Sequence, residues 1–230
     1  MKIIATIHTD FKEKFGIPRQ SGIVDKTVGR IVFLPEYRNP EALRGIEGYS
    51  HLWLIWQFSQ CQREEWSPTV RPPRLGGNKR MGVFATRSPF RPNPIGLSSV
   101  RLIGVEDTDE GKVLVVSGAD LLDGTPIYDI KPYLAYTDAH ADAIGGFADE
   151  VIDYSVKVAW EDGSYEKIDE CDREIVTKLL SHDPHPSYKN DPTKEYGMKY
   201  GKYEIFFTVE DGTLTVRKVK IGRASCRERV

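Results

Sequence analysis

The sequence predicts a mainly β protein, a small closed or nearly closed β-barrel followed by a small α+β unit. Three observations carry that prediction. Residues 1–133 hold many short apolar or alternating runs, set apart by turn residues and with little helical spacing. No strand–helix–strand alternation appears, which argues against a doubly wound sheet. Beyond residue 150 the pattern changes to one strand, one helix and one hairpin. A chain of 230 residues holds one large domain, or one medium and one small.

Residues 2–8 alternate as a strand, and residues 10–22 form a loop that ends near Pro18-Arg19-Gln20. Val28 to Leu34 reads as a second strand. Asn39-Pro40 is an N-cap and first-turn pair, so a short helix is expected to about Ile46, with Gly48 ending it. His51 to Phe58 is nearly all apolar and aromatic, and is read as a strand buried on both faces. Residues 61–80 carry Pro68, Pro72, Pro73, Gly76 and Gly77, a loop long enough to suggest a function. Strands are expected at 81–86, 97–106 and 112–119, with turn chemistry at Asp107–Gly111 and again at Asp123-Gly124. The barrel is placed at 1–137 and an Ala-, Asp- and Gly-rich linker at 138–150. In the second unit, 151–221, a strand spans Val151 to Trp160 and a helix runs from Ile168 to Leu180. Residues 187–201 read as an irregular Tyr-rich loop, and a hairpin turns at Glu210-Asp211-Gly212. Residues 222–230 continue no pattern and are read as a non-native or disordered tail.

Net charge is -2, and 40 % of residues are apolar and 29 % charged, the balance of a soluble globular protein. Neither a signal peptide nor a membrane span is expected, and Cys61, Cys171 and Cys226 lack metal or disulfide spacing, so a cytoplasmic protein with reduced thiols is expected. The charge is uneven. Between Cys61 and Arg91 seven basic residues face two acidic ones, whereas between Glu106 and Glu174 nineteen acidic residues face five basic. The first stretch is a candidate anion or nucleic-acid face, and the second argues against unspecific coating of nucleic acid.

Residues 81–101 organise the first part. Pro89, Pro92 and Pro94 fix φ and remove three backbone donors, which makes a stiff extended connection between strands. Arg87 and Arg91 stand on it, two fixed-charge forks suited to carboxylate or phosphate. Taken alone, the stretch reads first as a rigid surface loop with two solvated arginines.

Several stretches together resemble the TsaA-like family: Ile17–Gln20, Gly48–Trp53, Thr69–Asn78, Arg80–Gly96 and Asp123–Tyr133, with Asp183–Tyr188 similar to the family's second domain. The resemblance implies a dimeric β-barrel methyltransferase that uses S-adenosylmethionine outside the Rossmann group. The implied substrate is the threonylcarbamoyl-adenosine 3′ of the anticodon in a threonine tRNA, and the implied product carries a methyl on N6. The sequence agrees on one negative point, because Ile3–Thr9 runs into Asp10-Phe11-Lys12 without the Gly-rich turn of a Rossmann site.

The resemblance carries cofactor contacts onto Pro18, Arg19, Gln20, Ser59, Gln60, Arg87, Leu97, Leu122, Asp123, Gly124 and Thr125. Arg19 could pair a carboxylate, Gln20 could bond adenine or ribose, and Gly124 would let backbone approach the ligand. Each position equally fits a plain loop or turn. N6 must lose a proton, and Asp123 is the candidate base, Asp129 the next, with Lys131 able to offset a substrate carboxylate. Arg71, Arg74, Lys79, Arg80 and Arg91 are candidates for the backbone of the anticodon arm, and Trp66 or Tyr188 for base stacking. Tyr188 and Lys189 would help the second domain hold that arm. His51 reads as a core histidine, and His182 and His185 lack the company of a metal site. The competing readings are a non-enzymatic RNA-binding barrel, and a methyltransferase of this fold acting on a small molecule.

Overall fold

In the computed structural model, the alternation of the first part resolves into six strands that close on themselves in the order β1-β2-β7-β6-β3-β8. They are β1 (Ala5–Thr9), β2 (Val28–Phe33), β3 (His51–Gln57), β6 (Ile95–Thr108), β7 (Gly111–Ser117) and β8 (Thr125–Pro132). Every neighbouring pair is antiparallel. The structure describes residues 1–222, apart from 62–64, 73–74, 76–78, 153, 162, 186–190 and 192 and the side chain of Val151. Arg63, Arg74, Gly76, Gly77, Tyr188, Lys189 and the tail from 223 therefore lie outside the described residues.

Period-two patterning sets the barrel core. Ala5 and Ile7, then Ile31, Leu52 and Leu54, then Leu114, Val116 and Ile127 point inward and are fully buried. Strand β3 differs from expectation. Only Leu52, Leu54 and Trp56 are buried, while the alternate residues are half-covered. Their apolar character is used outside the barrel, where the Trp53 ring lies tilted against Tyr133 at 5.4 Å and its Nε1 donates to Asp138 at 2.8 Å. His51 is half-buried, with Ser50 Oγ 2.9 Å from its Nδ1 and Tyr133 beside its ring.

Two expected elements shrink. The helix at 39–46 is two 3-10 turns, Pro40–Leu43 and Ile46–Gly48, separated where Arg44 turns extended and Gly45 takes φ 85°. Asn39 still caps the first, its side chain accepting from the Glu41 amide at 3.0 Å. The strand at 81–86 is only β5 (Met81–Gly82), paired with β4 (Thr69–Val70), before a 3-10 turn at Val83–Ala85. Within 134–150 a single helical turn forms, α1 (Ala135–Asp138), and a 3-10 stretch spans Gly146–Val151.

The second unit is a four-stranded sheet, β10-β11-β12-β9, with helix α2 (Glu170–Ser181). Strand β9 (Lys157–Trp160) runs parallel to β12 (Thr213–Ile221), which pairs antiparallel with β11 (Tyr203–Glu210). The expected loop at 187–201 ends instead in β10 (Tyr196–Tyr200), because Tyr196, Met198 and Tyr200 alternate into the core. Among the described residues no helix is long and apolar enough to cross a membrane.

The connection between β1 and β2 does more than link them. Phe11 and Val24 are each 2 % exposed, and both belong to the core of the second unit rather than the barrel. Phe11 meets Tyr200 edge-on at 5.5 Å, and Phe15 stacks near Phe207 at 6.4 Å. The Gly201 amide donates to Asp10 O at 2.9 Å, and Lys178 pairs with Asp25 at 2.7 Å. Residues 10–27 thus form a strap shared by the two units.

Candidate functional site

Strand direction gathers three connections at one end of the barrel: residues 10–27 between β1 and β2, residues 58–94 between β3 and β6, and residues 118–124 between β7 and β8. Every expected cofactor residue except Leu97 lies on these connections or at their roots. At this mouth β6 faces β3 with Gly96 opposite Trp56 and Ser98 opposite Leu54. A Cβ on Gly96 would stand 2.2 Å from the Trp56 ring, so only glycine lets the indole lie across the strand. Trp56 Nε1 donates to Ser98 Oγ at 2.9 Å, and the Ser98 hydroxyl donates to Asp120 Oδ1 at 2.6 Å.

Asp120 is the residue that sequence reasoning passed over. Burial pushes its carboxyl above the ordinary 3.8, against the opposing pull of Ser98, backbone amides that include Ser21, and the nearby Arg87 charge. Its signal was an acidic residue four positions after the apolar run Val113–Val116 and among Ala119, Leu121 and Leu122, where a plain turn has no use for a desolvated charge. Arg87 reaches across the mouth, its Nη1 donating to the Gln20 side chain on the strap. The strap is pressed against the β7–β8 connection, where the Gly22 amide donates to Gly118 O at 2.8 Å.

The remaining expected cofactor residues are placed as follows. Pro18 is buried in the strap, and Arg19 is exposed with Nη2 3.4 Å from the carbonyl of Asp183, which draws it toward the second unit. That carbonyl belongs to a buried cluster in which Tyr154 donates to Asp183 at 2.7 Å and the Asp183 carboxylate also meets His185. Ser59 and Gln60 are exposed at the end of β3, and Lys14 of the strap donates to Gln60 O at 2.7 Å. Leu122 and Thr125 close a tight turn with Thr125 Oγ1 donating to Leu122 O at 2.6 Å. Gly124 holds φ 78°, and nothing stands within 4 Å of where its Cβ would be, so this backbone is open to a ligand. Leu97 is 58 % exposed on the outer barrel face and turned away from the mouth.

The expected proton acceptor, Asp123, sits in a network of hydrogen bonds and charges. Asp123 accepts from the Thr9 amide at 3.1 Å and from Lys12 at 2.7 Å, with His8 Nδ1 at 3.2 Å. Partial burial pushes its carboxyl up, but the Lys12 bond, the Thr9 amide and the charges of Lys12 and His8 outweigh it and hold the group below 3.8. Both oxygens are engaged and the carboxylate is a weakened base, so Asp123 pins the β7–β8 connection to β1. Lys131 and Asp129 pair with each other at 3.3 Å on the barrel wall. Lys131 lies opposite Trp53, four residues along β8 from Ile127 beside Trp56, or about 13 Å from the mouth. That distance sets Lys131 apart from the residues gathered at the mouth.

Of the residues expected to meet tRNA, Arg71, Lys79 and Arg80 are exposed on the long β3–β6 connection, and Arg74 is outside the described residues. Arg91 is half-buried, its Nη1 donating to Thr86 O at 3.0 Å, with Ser88 O 3.5 Å away, and so holds the Pro-rich loop in shape. Trp66 is 50 % exposed, its ring 6.1 Å from that of Phe84. Among the described residues no group of three His, Cys, Asp or Glu could hold a metal ion.

Comparison with known proteins places this arrangement. Residues 6–139 match the tRNA-methyltransferase O N-terminal domain, and residues 153–221 match the TrmO C-terminal domain. A tRNA (adenine(37)-N6)-methyltransferase of Escherichia coli K12 is 38 % identical over 221 residues, covering 93 % of this chain and 94 % of the relative. A putative S-adenosylmethionine-dependent methyltransferase, RcsF, of Pseudomonas aeruginosa is 43 % identical over 210 residues, covering 88 % and 89 %. The crystal structure of TrmO from Pseudomonas aeruginosa superposes with a TM-score of 0.76 at 34 % identity, over 95 % of this chain and 96 % of that one. With both domains matched in order and the barrel shared, this chain belongs to the TrmO family.

Proposed function

We propose that this chain is a tRNA methyltransferase that places a methyl from S-adenosylmethionine on N6 of the adenosine following the anticodon, in its threonylcarbamoyl form and in threonine tRNA. The observation that carries this reading is the pair of opposite charges at the barrel mouth, exposed Arg87 and half-buried Asp120, beside the open turn at Gly124. The methionine end of the cofactor is a zwitterion with a sulfonium. It needs one fixed cation for its carboxylate and one anion for its ammonium or sulfonium. Arg87 fits the first need and Asp120 the second.

S-adenosylmethionine supplies a methyl already activated on sulfur, which leaves with its bonding electrons on the thioether when N6 displaces it in line. The protein therefore has mainly to align donor and acceptor. Gln20 holds Arg87 in place, Ser98 holds Asp120, and Trp56 holds Ser98. Gln60, anchored by Lys14, and the backbone at Gly124 bound a slot for the nucleoside end. The proton of N6 passes to water, since Asp123 is tied down in ion pairs and Lys131 stands away from the mouth. Leu97 faces outward, so its contact with a cofactor in this mouth requires a second copy of the chain, which favours a dimer. Arg71, Lys79 and Arg80 are the candidates for anticodon-arm phosphates. A tRNA substrate supports a cytoplasmic location for the enzyme.

The test incubates the protein with S-adenosylmethionine and threonine tRNA that does or does not carry the threonylcarbamoyl group, then identifies nucleosides by mass spectrometry. Methylation at N6 of position 37 only in the modified tRNA is expected. Methylation elsewhere, or of both tRNAs alike, would contradict the stated substrate.

A further inference from the structure

A cavity of about 420 Å³ opens on the outer side of the barrel wall, next to the mouth but apart from it. None of the residues assigned to the cofactor lines it. One strand separates the two spaces: Trp56 is buried on the mouth side, and the next residue, Gln57, turns out into the cavity. The Pro-rich loop divides them in the same way, with Arg87 near Asp120 and Arg91 on the cavity side. Four residues of extended chain span at most about 14 Å, so the two arginines are neighbours on one stiff loop. A ligand in the cavity cannot meet a methyl held in the mouth, but one RNA strand can enter both.

The lining has a particular chemistry. Trp66, Phe90 and Tyr128 offer three aromatic faces, and Trp66 is half-exposed, with the still more exposed Phe84 beside it. A soluble chain seldom leaves such rings at a concave surface without a ligand to cover them. The polar lining holds one charge of each sign, Glu65 and Arg91, with the amides of Gln57 and Asn93. Arg91 commits Nη1 to two loop carbonyls and is fixed in place, which leaves Nη2 and Nε to donate. Glu65 is exposed, and as a carboxylate it only accepts. The two charges cancel, which suits a neutral flat ligand rather than a phosphate or a carboxylate. Among the RNA bases guanine meets both groups with paired bonds. Its O6 and N7 accept from a guanidinium, the commonest base-specific contact, and its N1–H and N2 amino group donate side by side to a carboxylate. No other base has two adjacent donor groups. Aromatic faces with charged edges are the means by which proteins hold unstacked bases of single-stranded RNA. Exposed Arg71, Lys79 and Arg80 lie on the same connection as Trp66 and would hold the phosphates to either side.

We propose that this cavity reads a guanine of the anticodon loop, the middle letter of the anticodon, with its ring among Trp66, Phe90 and Tyr128, its O6 and N7 on Arg91, and its N1 and N2 on Glu65. The acceptor adenosine itself goes to the mouth. Threonine codons carry cytosine in the middle, so every threonine anticodon carries guanine there, two nucleotides before the acceptor. Two nucleotides span about 7 Å in a stacked strand, and more where bases are turned out, enough to pass from the mouth to the cavity. The proposal rests on the methyltransferase reading above and adds to it the residues that choose the tRNA.

The test uses full-length threonine tRNAs ligated from synthetic pieces that carry the threonylcarbamoyl-adenosine and have guanine, inosine or adenine as the middle letter. The unaltered protein, Glu65→Gln and Trp66→Ala are compared for kcat/KM of methylation and for calorimetric binding of S-adenosylmethionine. Both residues are exposed, so both variants are expected to fold with unchanged melting temperature. The unaltered protein should prefer guanine to adenine by about 5- to 150-fold, the discrimination of one paired base contact. Inosine lacks only the N2 amino group and should fall between them. Glu65→Gln should lose activity on the guanine tRNA and narrow the difference between guanine and inosine, because the two losses remove one contact and do not add. Trp66→Ala should lose about 5- to 100-fold on the guanine tRNA, the range expected for one lost base stack. Cofactor affinity should be unchanged in both variants. If the unaltered protein methylates all three tRNAs equally, no base is read here and the proposal is overturned while the methyltransferase reading stands. If guanine is preferred but Glu65→Gln keeps the full difference between guanine and inosine, the guanine is read elsewhere and the proposal is equally overturned. If the unaltered protein neither binds cofactor nor methylates, the methyltransferase reading itself fails, and the proposal with it.

Discussion

Replacing Gly96 by alanine tests how the mouth is built, because the change adds one methyl group and removes nothing. The new Cβ would lie 2.2, 2.4 and 2.5 Å from three atoms of the Trp56 ring. Real carbon contacts lie near 3.5–4.0 Å, so the indole must move by more than 1 Å, by roughly that difference. It has little freedom to do so. Trp56 is 6 % exposed, the Phe58 ring lies 4.2 Å away, and its Nε1 is bonded to Ser98. Overpacking of this kind costs about 1–3 kcal/mol, and loss of the Trp56–Ser98 bond adds about 1 kcal/mol. The expected total is about 2–4 kcal/mol, which for a chain of this size is a fall of about 4–16 °C in melting temperature. Urea unfolding followed by tryptophan fluorescence measures it. A freed Ser98 would also turn from Asp120, so cofactor affinity should fall in the same variant. Adding Trp56→Phe should recover part of the stability, since the smaller ring leaves room for the methyl, and the two changes should not add. A loss below about 0.5 kcal/mol, within the range of a neutral surface change, together with unchanged cofactor binding, would refute the packing described for β3 and β6.

Asp120→Asn separates charge from shape. The native carboxyl holds its proton to a higher pH than the unfolded chain, whose group titrates near 3.8, so the native state binds more protons in the interval between them. Stability therefore falls as pH rises through that interval, and this contribution should vanish in the asparagine variant, which thermal melts from pH 4 to 7 would show. The same variant should bind S-adenosylmethionine more weakly at neutral pH while melting no lower than the parent; unaltered affinity would remove Asp120 from the cofactor site. Phe11→Ala alters a residue in a connection between strands, yet it is 2 % exposed and sits in the second core. It should cost about 3–5 kcal/mol, as a core phenylalanine does, and a loss under 1 kcal/mol in urea unfolding would show that the strap is not shared.

Much of the fold was legible because barrel strands repeat with period two. Ile7, Ile31, Leu52, Leu54 and Leu114 announce an inward face without any knowledge of pairing. The same rule applied to Tyr196, Met198 and Tyr200 would have found β10, but Gly197 and the charged residues around it made the stretch read as loop. Strand β3 was misread in the other direction, since apolar residues on its outer face serve contacts with Tyr133 and Asp138 rather than a second layer. The Asn39-Pro40 start was correct as a cap, but a cap does not set length, and extended Arg44 ended the helix after one turn, before Gly45 in the left-handed region. The strap was beyond local reading, because Phe11 and Val24 find their partners more than a hundred residues away. At the site, Arg87 stood out by its stiff, proline-bound loop. Asp120 did not, because its meaning depends on its desolvation and on the hydrogen bond from Ser98, itself held by Trp56, which only the closed barrel brings to it.

The central claim is that the barrel mouth holds S-adenosylmethionine through Arg87 and Asp120. The most direct measurement is calorimetric titration of the purified protein with S-adenosylmethionine, repeated on Arg87→Ala. The account predicts binding in the micromolar range, about -8 kcal/mol, that is lost or weakened at least about tenfold when the guanidinium is removed, by about 1.4 kcal/mol or more. Equal binding by the folded variant, or no heat with the unaltered protein and no competition by the demethylated product, would contradict it.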